Sequence, residues 1–366
     1  MKIIHCADLH LDSKMNANLD KEKAKKRKSE LLNTFSRMVD YAAENDVNVI
    51  LIVGDMFDTA SISVTTKNMV LDLIMKNETI SFYYLKGNHD NDNFLTGLDE
   101  LPHNLKLFSS EWKTYYELEG KIAITGLELN KDNSNVAYLS LVLDQEKTNI
   151  VMLHGQESEG NAKDKTEIIN LKALRNKGID YLALGHIHAY KEERLDPRAI
   201  YCYPGCLEGR GFDEVGEHGF VFLEVDENTG DIERKFVPFA YRKLHELEVD
   251  IEGATTTSKI IEIIDSKIND PKYRTIDLMK IVLKGALDVE CEKDINYILS
   301  RYEDRFFFVK IYDETSLKVD IEDYRLDESL KGEFVRQVLD DSAIADDDKM
   351  VIIRYGLQAI ANEEVN

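Results

Sequence analysis

The chain has 366 residues, with 46 lysines and arginines against 69 aspartates and glutamates, and a net charge of −23. That length points to two domains, and the acidity argues against a protein that grips nucleic acid by its own surface charge. No apolar run approaches membrane-spanning length, the start is broken by His5 and Asp8, and the four cysteines (Cys6, Cys202, Cys206, Cys291) are scattered, so the expectation is a cytoplasmic protein with neither span nor signal peptide.

In chain order, the pattern opens on a short apolar strand, Ile3-Ile4, that runs into Asp8-Leu9-His10. A basic run follows (Lys21, Lys23, Lys25, Lys26, Arg27, Lys28). Then Leu31, Leu32, Phe35, Met38, Val39 and Ala42 recur at helical spacing. A second strand, Val49 to Val53, ends in Gly54-Asp55-Met56-Phe57-Asp58. Ser63 is placed to cap a helix reaching Met75, with Val70, Leu71 and Ile74 facing inward. Ile80 to Leu85 forms a third strand and leads to Gly87-Asn88-His89-Asp90. Short strands are expected at Leu105 to Leu107, Tyr115 to Leu118 and Ile122 to Thr125. Ile150 to Leu153 ends in His154. A helix is expected over Lys165 to Arg175, and Tyr181 to Leu184 ends in Gly185-His186-Ile187-His188. Residues 198–238 read as three strands, with Gly230-Asp231 turning the last hairpin.

After Pro238 the periodicity changes. Strands are expected at Leu244 to Ile251, Asp277 to Leu283 and Phe306 to Tyr312, with helices at Ser258 to Ile268 and Ile295 to Tyr302. Two further helices, Glu328 to Leu339 and Asp348 to Ala361, carry apolar residues such as Phe334, Val335, Val338, Leu339 and Val351, Ile352, Tyr355, Leu357, Ile360. Such stripes fit a partner helix or the protein's own core. The expected division is 1–240, 241–325 (a small α+β accessory domain) and 326–366 (a helical segment). There is no internal repeat and no Walker-type phosphate loop. Cys202-x-x-x-Cys206 has no second pair to complete a zinc site.

The chemistry lies in the five blocks at strand ends. In open α/β sheets the loops after strand C-termini form the ligand crevice, so the five converge. Asp8 and His10, and His186 and His188, are each two residues apart, which turns both side chains of a pair the same way in extended chain. Glycines stand at or beside the strand ends (Gly54, Gly87, Gly155, Gly185), where close approach favours a residue without Cβ. Carboxylate, imidazole and carboxamide together suit borderline divalent ions, and seven such side chains exceed what one ion needs. Two ions sharing a carboxylate fit the set, which points to phosphate-ester hydrolysis.

In order and wording these blocks resemble the calcineurin-like metallophosphoesterases. More narrowly, His5-Cys6-Ala7-Asp8-Leu9-His10-Leu11-Asp12-Ser13 and Gly87-Asn88-His89-Asp90 are similar to the bacterial SbcD-type DNA repair exonuclease subunits. Tyr203-Pro204-Gly205, Glu208-Gly209-Arg210 and Gly216-Glu217-His218-Gly219 look like their YhaO-like branch. The resemblance implies an α/β fold, a layered sandwich of two mixed sheets flanked by helices. It implies one ion held by Asp8, His10 and His188 with Asp55 as bridge, and another by Asp55, Asn88, His154 and His186, both most naturally Mn²⁺. His89 would stand beside the scissile phosphate without ligating, and Asp90 would fix its ring. Asp58 departs from the pattern, since some members have His there; a second substrate-contacting imidazole is absent or supplied elsewhere.

The implied function is a two-metal DNA nuclease acting in double-strand break repair, cleaving phosphodiesters with metal-activated water. It would take double-stranded DNA ends, work with an SbcC-type coiled-coil ATPase and pair as a homodimer, with 241–325 as a capping domain. Lys25, Lys26, Arg27 and Lys28 would meet DNA near the crevice; a solvated helix start accounts for them equally well. A phosphatase or small-molecule phosphodiesterase of the same superfamily is the alternative, because the five blocks serve the whole superfamily. A non-enzymatic scaffold is disfavoured, because buried carboxylates and imidazoles are costly to keep without metal.

Overall fold

Strands that are buried along their whole length decide the first unit's architecture. In the computed structural model the described residues are all except 16–18, 59–61, 91–93, 97, 99, 135, 160–167, 289–290, 319–320 and 361–366. The chain divides into two units, Met1–Lys243 and Leu244–Asn366.

The first unit opens with β1 (Lys2–Cys6), α1 (Lys21–Glu44), β2 (Val49–Val53), α2 (Val64–Lys76), β3 (Ser81–Leu85) and β4 (Leu105–Leu107). Next come β5 (Lys113–Glu117), β6 (Ile122–Gly126), α3 (Ala137–Ser140), β7 (Thr148–His154), β8 (Gln156–Ser158), β9 (Ile168–Asn170), α4 (Leu171–Leu174) and β10 (Tyr181–Gly185). It closes with β11 (Lys191–Arg194), β12 (Ile200–Tyr203), β13 (Gly219–Val225) and β14 (Ile232–Pro238). Two six-stranded sheets result, ordered β14-β13-β1-β2-β3-β4 and β11-β12-β10-β7-β6-β5. Neighbours from β1 to β4 pair in parallel, as do β6, β7, β10 and β12; antiparallel pairings are confined to the flanks.

The sheets are buried on both faces, which is why their strands read as continuous aliphatic runs. Ile3, Val49, Leu51 and Val53 join Ile124, Ile150, Met152 and Tyr181 in one core cluster. Ile4, Ile50 and Ile52 turn the other way, into a cluster with Phe35, Met38, Val39, Val70 and Ile74 of α1 and α2. Val151, Leu153, Leu182 and Leu184 cluster with Tyr138, Leu171 and Leu174. The layered sandwich of two mixed sheets flanked by helices is therefore the observed fold. Ser63 caps α2 by accepting from the Thr66 amide, and Asp20 caps α1 through the amides of Glu22 and Lys23.

Some elements differ from expectation for local reasons. Lys165 to Glu167 lie outside the described residues, and the rest of the helix expected up to Arg175 is a single turn. The β-branched Ile168 and Ile169 pair with Gln156 to Ser158 as a strand, and the Asn170 side chain starts α4 by accepting from Ala173. β11 was not expected. Its sequence, Lys-Glu-Glu-Arg, carries no apolar alternation because it is a charged sheet edge.

Arg27 corrects the reading of the basic run. It is fully buried, with Nη1 2.8 Å from Glu30 Oε2 and 3.1 Å from Glu208 Oε1. Arg242 Nη2 pairs with Glu30 Oε1 at 2.5 Å, and the amides of Tyr241 and Arg242 donate to Glu208. Arg27 is thus spent holding α1 to the segments after β12 and β14, and no nucleic acid reaches it. Lys28 is tied to Asp12 at 2.8 Å, while Lys25 and Lys26 are exposed. Replacing Arg27 by methionine leaves an excess buried carboxylate and is expected to cost about 3–5 kcal/mol. A urea midpoint that falls with an unchanged slope checks this; a loss below about 1 kcal/mol, the range of exposed pairs, would contradict it.

The second unit holds β15 (Leu244–Asp250), α5 (Thr257–Ile268), β16 (Leu278–Lys284), β17 (Ala286–Leu287), α6 (Ile295–Tyr302), β18 (Phe308–Asp313), β19 (Ser316–Leu317), α7 (Ile321–Arg325), α8 (Leu330–Asp340) and α9 (Asp346–Ile360). β15, β16 and β18 form a parallel three-stranded sheet. Val249, Met279, Ile281 and Leu283 cluster with Ile260, Ile264, Ile268 and Ile298 from α5 and α6. Val335, Val338, Ile353 and Leu357 make a smaller cluster between α8 and α9. In α9 the inward pair is therefore Ile353 and Leu357, whereas Val351, Ile352 and Tyr355 are exposed. Ala361 lies outside the described residues.

Candidate metal centre

The five strand ends meet, because β1, β2 and β3 are neighbours in one sheet and β7 and β10 are neighbours in the other. Backbone bonds lock the loops together. Asp8 N donates to Gly54 O at 3.1 Å and His10 N to Asp55 O at 2.9 Å. His89 N donates to Asp55 Oδ1 at 2.8 Å, and His186 N reaches both oxygens of Asp8 at 3.1 and 3.0 Å. The backbone is strained where these residues sit: φ is 52° at Asp8, 43° at His10, 51° at Asp55 and 105° at His186. Such values in non-glycine residues cluster where geometry serves function. Gly54 (φ 83°) is required twice over, since a Cβ there would also run into the His154 ring.

Three groups of ligand-type atoms converge: Asp8 with His10 and His188, Asp55 with His154 and His186, and His10 again with Asp58 and His89. His10 Nε2 and His188 Nε2 are 3.2 Å apart, and His188 Nε2 lies 3.8 Å from Asp8 Oδ1. Asn88 Oδ1 is 3.1 Å from His154 Nε2 and 3.4 Å from His186 Nδ1. Asp55 Oδ2 is 3.3 Å from His154 Nε2 and 4.0 Å from His10 Nε2, which places it between the first two groups. All seven residues singled out from sequence as ligands are thus brought to one place.

Three imidazoles share one arrangement. The Nδ1 of His154 faces Val53 O at 2.9 Å, that of His10 faces Asp58 Oδ1 at 3.1 Å, and that of His188 faces Glu214 Oε1 at 2.6 Å. At His154 and His188 the acceptor fixes Nδ1 as the outward N–H and leaves Nε2 turned into the cluster, the habit of metal-ligating histidines; at His10 the Asp58 carboxylate stands near Nδ1 without a well-aligned hydrogen bond. With two carboxylates and a carboxamide oxygen beside them, the donor set fits a pair of divalent ions.

Charges follow from this packing. Burial would raise the Asp55 carboxyl, but the hydrogen bond and charge of His154 hold it well below its ordinary value. Burial would lower His154, but the same pairing carries it up to about 9. His188 is raised against burial by its hydrogen bond to Glu214 and by the charge of Asp8. Burial would likewise raise Glu214, which His188 and Arg210 hold far down. Below about pH 9 an entering ion must displace the His154 proton, so apparent metal affinity should climb with pH and level off above that value. Calorimetric Mn²⁺ titrations in buffers of different ionisation heat should register proton release at neutral pH; none would contradict the assignment.

His89 and Asp90 separate. The His89 side chain is 46% exposed at the rim, its ring 5.1 Å from that of His10. Asp90 does not fix it. Its carboxylate turns back to accept from the amides of Met56, Phe57 and Gly87 at 3.2, 2.9 and 3.0 Å, tying the β2 and β3 loops together. Burial raises the Asp90 carboxyl despite those amides. The carboxylate beside His89 is Asp58, 3.7 Å from its Nδ1. Asp58 and Glu214 are the anchors that sequence reasoning missed as such. Asp58 was visible as a carboxylate at an imidazole position, whereas Glu214 lies in an irregular loop with no spacing signal.

A family model of the calcineurin-like phosphoesterases matches residues 1–190. The chain belongs to that family. It is a phosphoester hydrolase by family, with a site for two divalent ions. Metallophosphoesterase YhaO of Bacillus subtilis is 27% identical, covering 78% of this chain and 72% of that protein. DNA double-strand break repair protein Mre11 of Saccharolobus solfataricus is 24% identical, covering 100% of this chain and 97% of its own length. The Mre11 of Methanopyrus kandleri is 26% identical over 69% of this chain and 60% of that protein. Among solved structures, TT1561 of Thermus thermophilus superposes with a TM-score of 0.41 at 10% identity, over 64% of this chain and 98% of that one. No helix among the described residues of this phosphoesterase is long and apolar enough to cross a membrane.

Proposed function

We propose that this phosphoesterase is a two-metal DNA nuclease of double-strand break repair, with Mn²⁺ as its ions and a coiled-coil ATPase of the SbcC type as its partner. The observation that carries the reading is the reach of the Mre11 likeness, which runs through the second unit as well as the phosphoesterase part. Asp8, His10 and His188 would hold one ion and Asn88, His154 and His186 the other, with Asp55 between. Bound there, the ions would supply an activated water and offset phosphate charge. The chain's own residues do the rest. Val53 and Glu214 hold the imidazoles of His154 and His188 in one orientation. His89, exposed at the rim with Asp58 behind it, meets the phosphate and gives a proton to the leaving oxygen.

Lys25 and Lys26, exposed on α1, would meet the DNA backbone. The second unit serves as the cap on DNA, and α8 and α9 as the partner-binding segment. The net charge of −23 favours the other reading, a phosphodiesterase of small molecules, and leaves most of the DNA grip to a partner. Hydrolysis of end-labelled linear duplex DNA with Mn²⁺, run beside bis-p-nitrophenyl phosphate, tests the two. DNA cleavage supports the nuclease; cleavage of the small diester alone, with the ATPase partner also present, overturns it.

A further inference from the structure

We infer that Arg210 is a substrate-phosphate contact of this centre, paired with His89 across Asp58. The inference rests on the metal-centred phosphoesterase reading and adds a residue to it. Arg210 stands in the loop between β12 and β13, and its guanidinium reaches the rim of the site. Nη1 is 3.1 Å from Asp58 Oδ1, while Nη2 and Nε lie 3.0 and 3.3 Å from Glu214 Oε1. Asp58 Oδ1 also lies 3.1 Å from His10 Nδ1 and 3.7 Å from His89 Nδ1. One carboxylate oxygen therefore gathers a ligand imidazole, the rim imidazole and the guanidinium.

The donor inventory leaves Arg210 with capacity to spare. A guanidinium has five N–H groups in a fixed fork. Three bonds to Asp58 and Glu214 engage only part of them. Nη2 also lies 3.3 Å from His188 Nδ1, but that nitrogen already gives its proton to Glu214 and accepts nothing further. The remaining N–H groups belong to a side chain that is 21% exposed, beside the rim where His89 is 46% exposed. The two carboxylates hold the guanidinium still, so little ordering is left for the moment of binding. A fixed, permanently charged fork next to an ion pair is suited to the non-bridging oxygens of a phosphoester. The chemical class it selects is a phosphate carrying at least two free oxygens on one face, as in a phosphodiester or its monoester product.

The test is phosphate binding by the full chain loaded with Mn²⁺, measured by calorimetry with inorganic phosphate as the probe. Metal content is counted in the same samples. Arg210→Met should keep two ions and raise the phosphate Kd by roughly tenfold to a hundredfold, the weight of one charge-assisted hydrogen bond. If Arg210→Met does not fold, Arg210→Lys keeps the charge against Asp58 and Glu214 but not the fork, and a smaller rise in Kd is expected. An unchanged Kd in the folded variant overturns the inference. So does loss of an ion, which would make Arg210 a positioning residue acting through Glu214 and His188. A wild-type chain that binds no phosphate with Mn²⁺ present would instead sink the metal reading beneath it.

Discussion

Replacing Asp55 by alanine is expected to release both ions together and bring phosphodiester hydrolysis to background. Its carboxylate is 2% exposed, lies between the two ligand groups, and anchors the His89 amide through its other oxygen. One substitution therefore removes the shared ligand and loosens the loop that carries Asn88 and His89. His154 also loses the partner that does most to carry it up to about 9, so its titration should move down, burial then being opposed by the charge of Asp8 and the Val53 carbonyl. Metal counting and the His154 ring signal by NMR read these effects separately from activity. A variant that kept both ions and turned over phosphodiesters would remove Asp55 from the centre of the scheme.

His89→Leu should behave in the opposite way, keeping two ions while turnover falls by roughly 10²–10⁴, the usual weight of a positioned acid. The physical reason is that its ring stands outside the ligand cluster. The ring is half exposed, and the backbone amide that binds Asp55 survives the change. Asp58 keeps its place through His10 and Arg210. Metal content of the variant and single-turnover rates would separate the two roles. Full activity would show that the proton comes from elsewhere, and loss of an ion would make His89 structural.

Much of this centre was legible because strand ends are legible. Val49 to Val53 and Ile150 to Leu153 are buried on both faces, so each reads as an unbroken aliphatic run whose end is marked by glycine, Asp or His. Five such ends in one α/β chain converge by topology, while the choice of seven ligands among their side chains is what the family resemblance implies. What failed was the pairing of Asp90 with His89 that the resemblance implied. Asp90 follows His89 in sequence, yet backbone amides of two loops claim its carboxylate. Asp58, far along the chain, faces His89 instead.

Arg27 carried a usable signal. It lies four residues before Leu31 and three after Ala24 on the buried stripe of α1, and a basic residue in that register points inward. Glu214 carried none, since its contact with His188 depends on how an irregular loop folds back. The short strands β8, β9, β17 and β19, of two or three residues each, are below the length at which periodicity can speak.

The claim on which the rest depends is a pair of ions sharing Asp55, and an anomalous difference map from crystals grown with Mn²⁺ tests it most directly. Two peaks are predicted, one against His10 and His188 and one against His154 and Asn88, with Asp55 between them. A single peak, or none within reach of Asp55, would contradict the account.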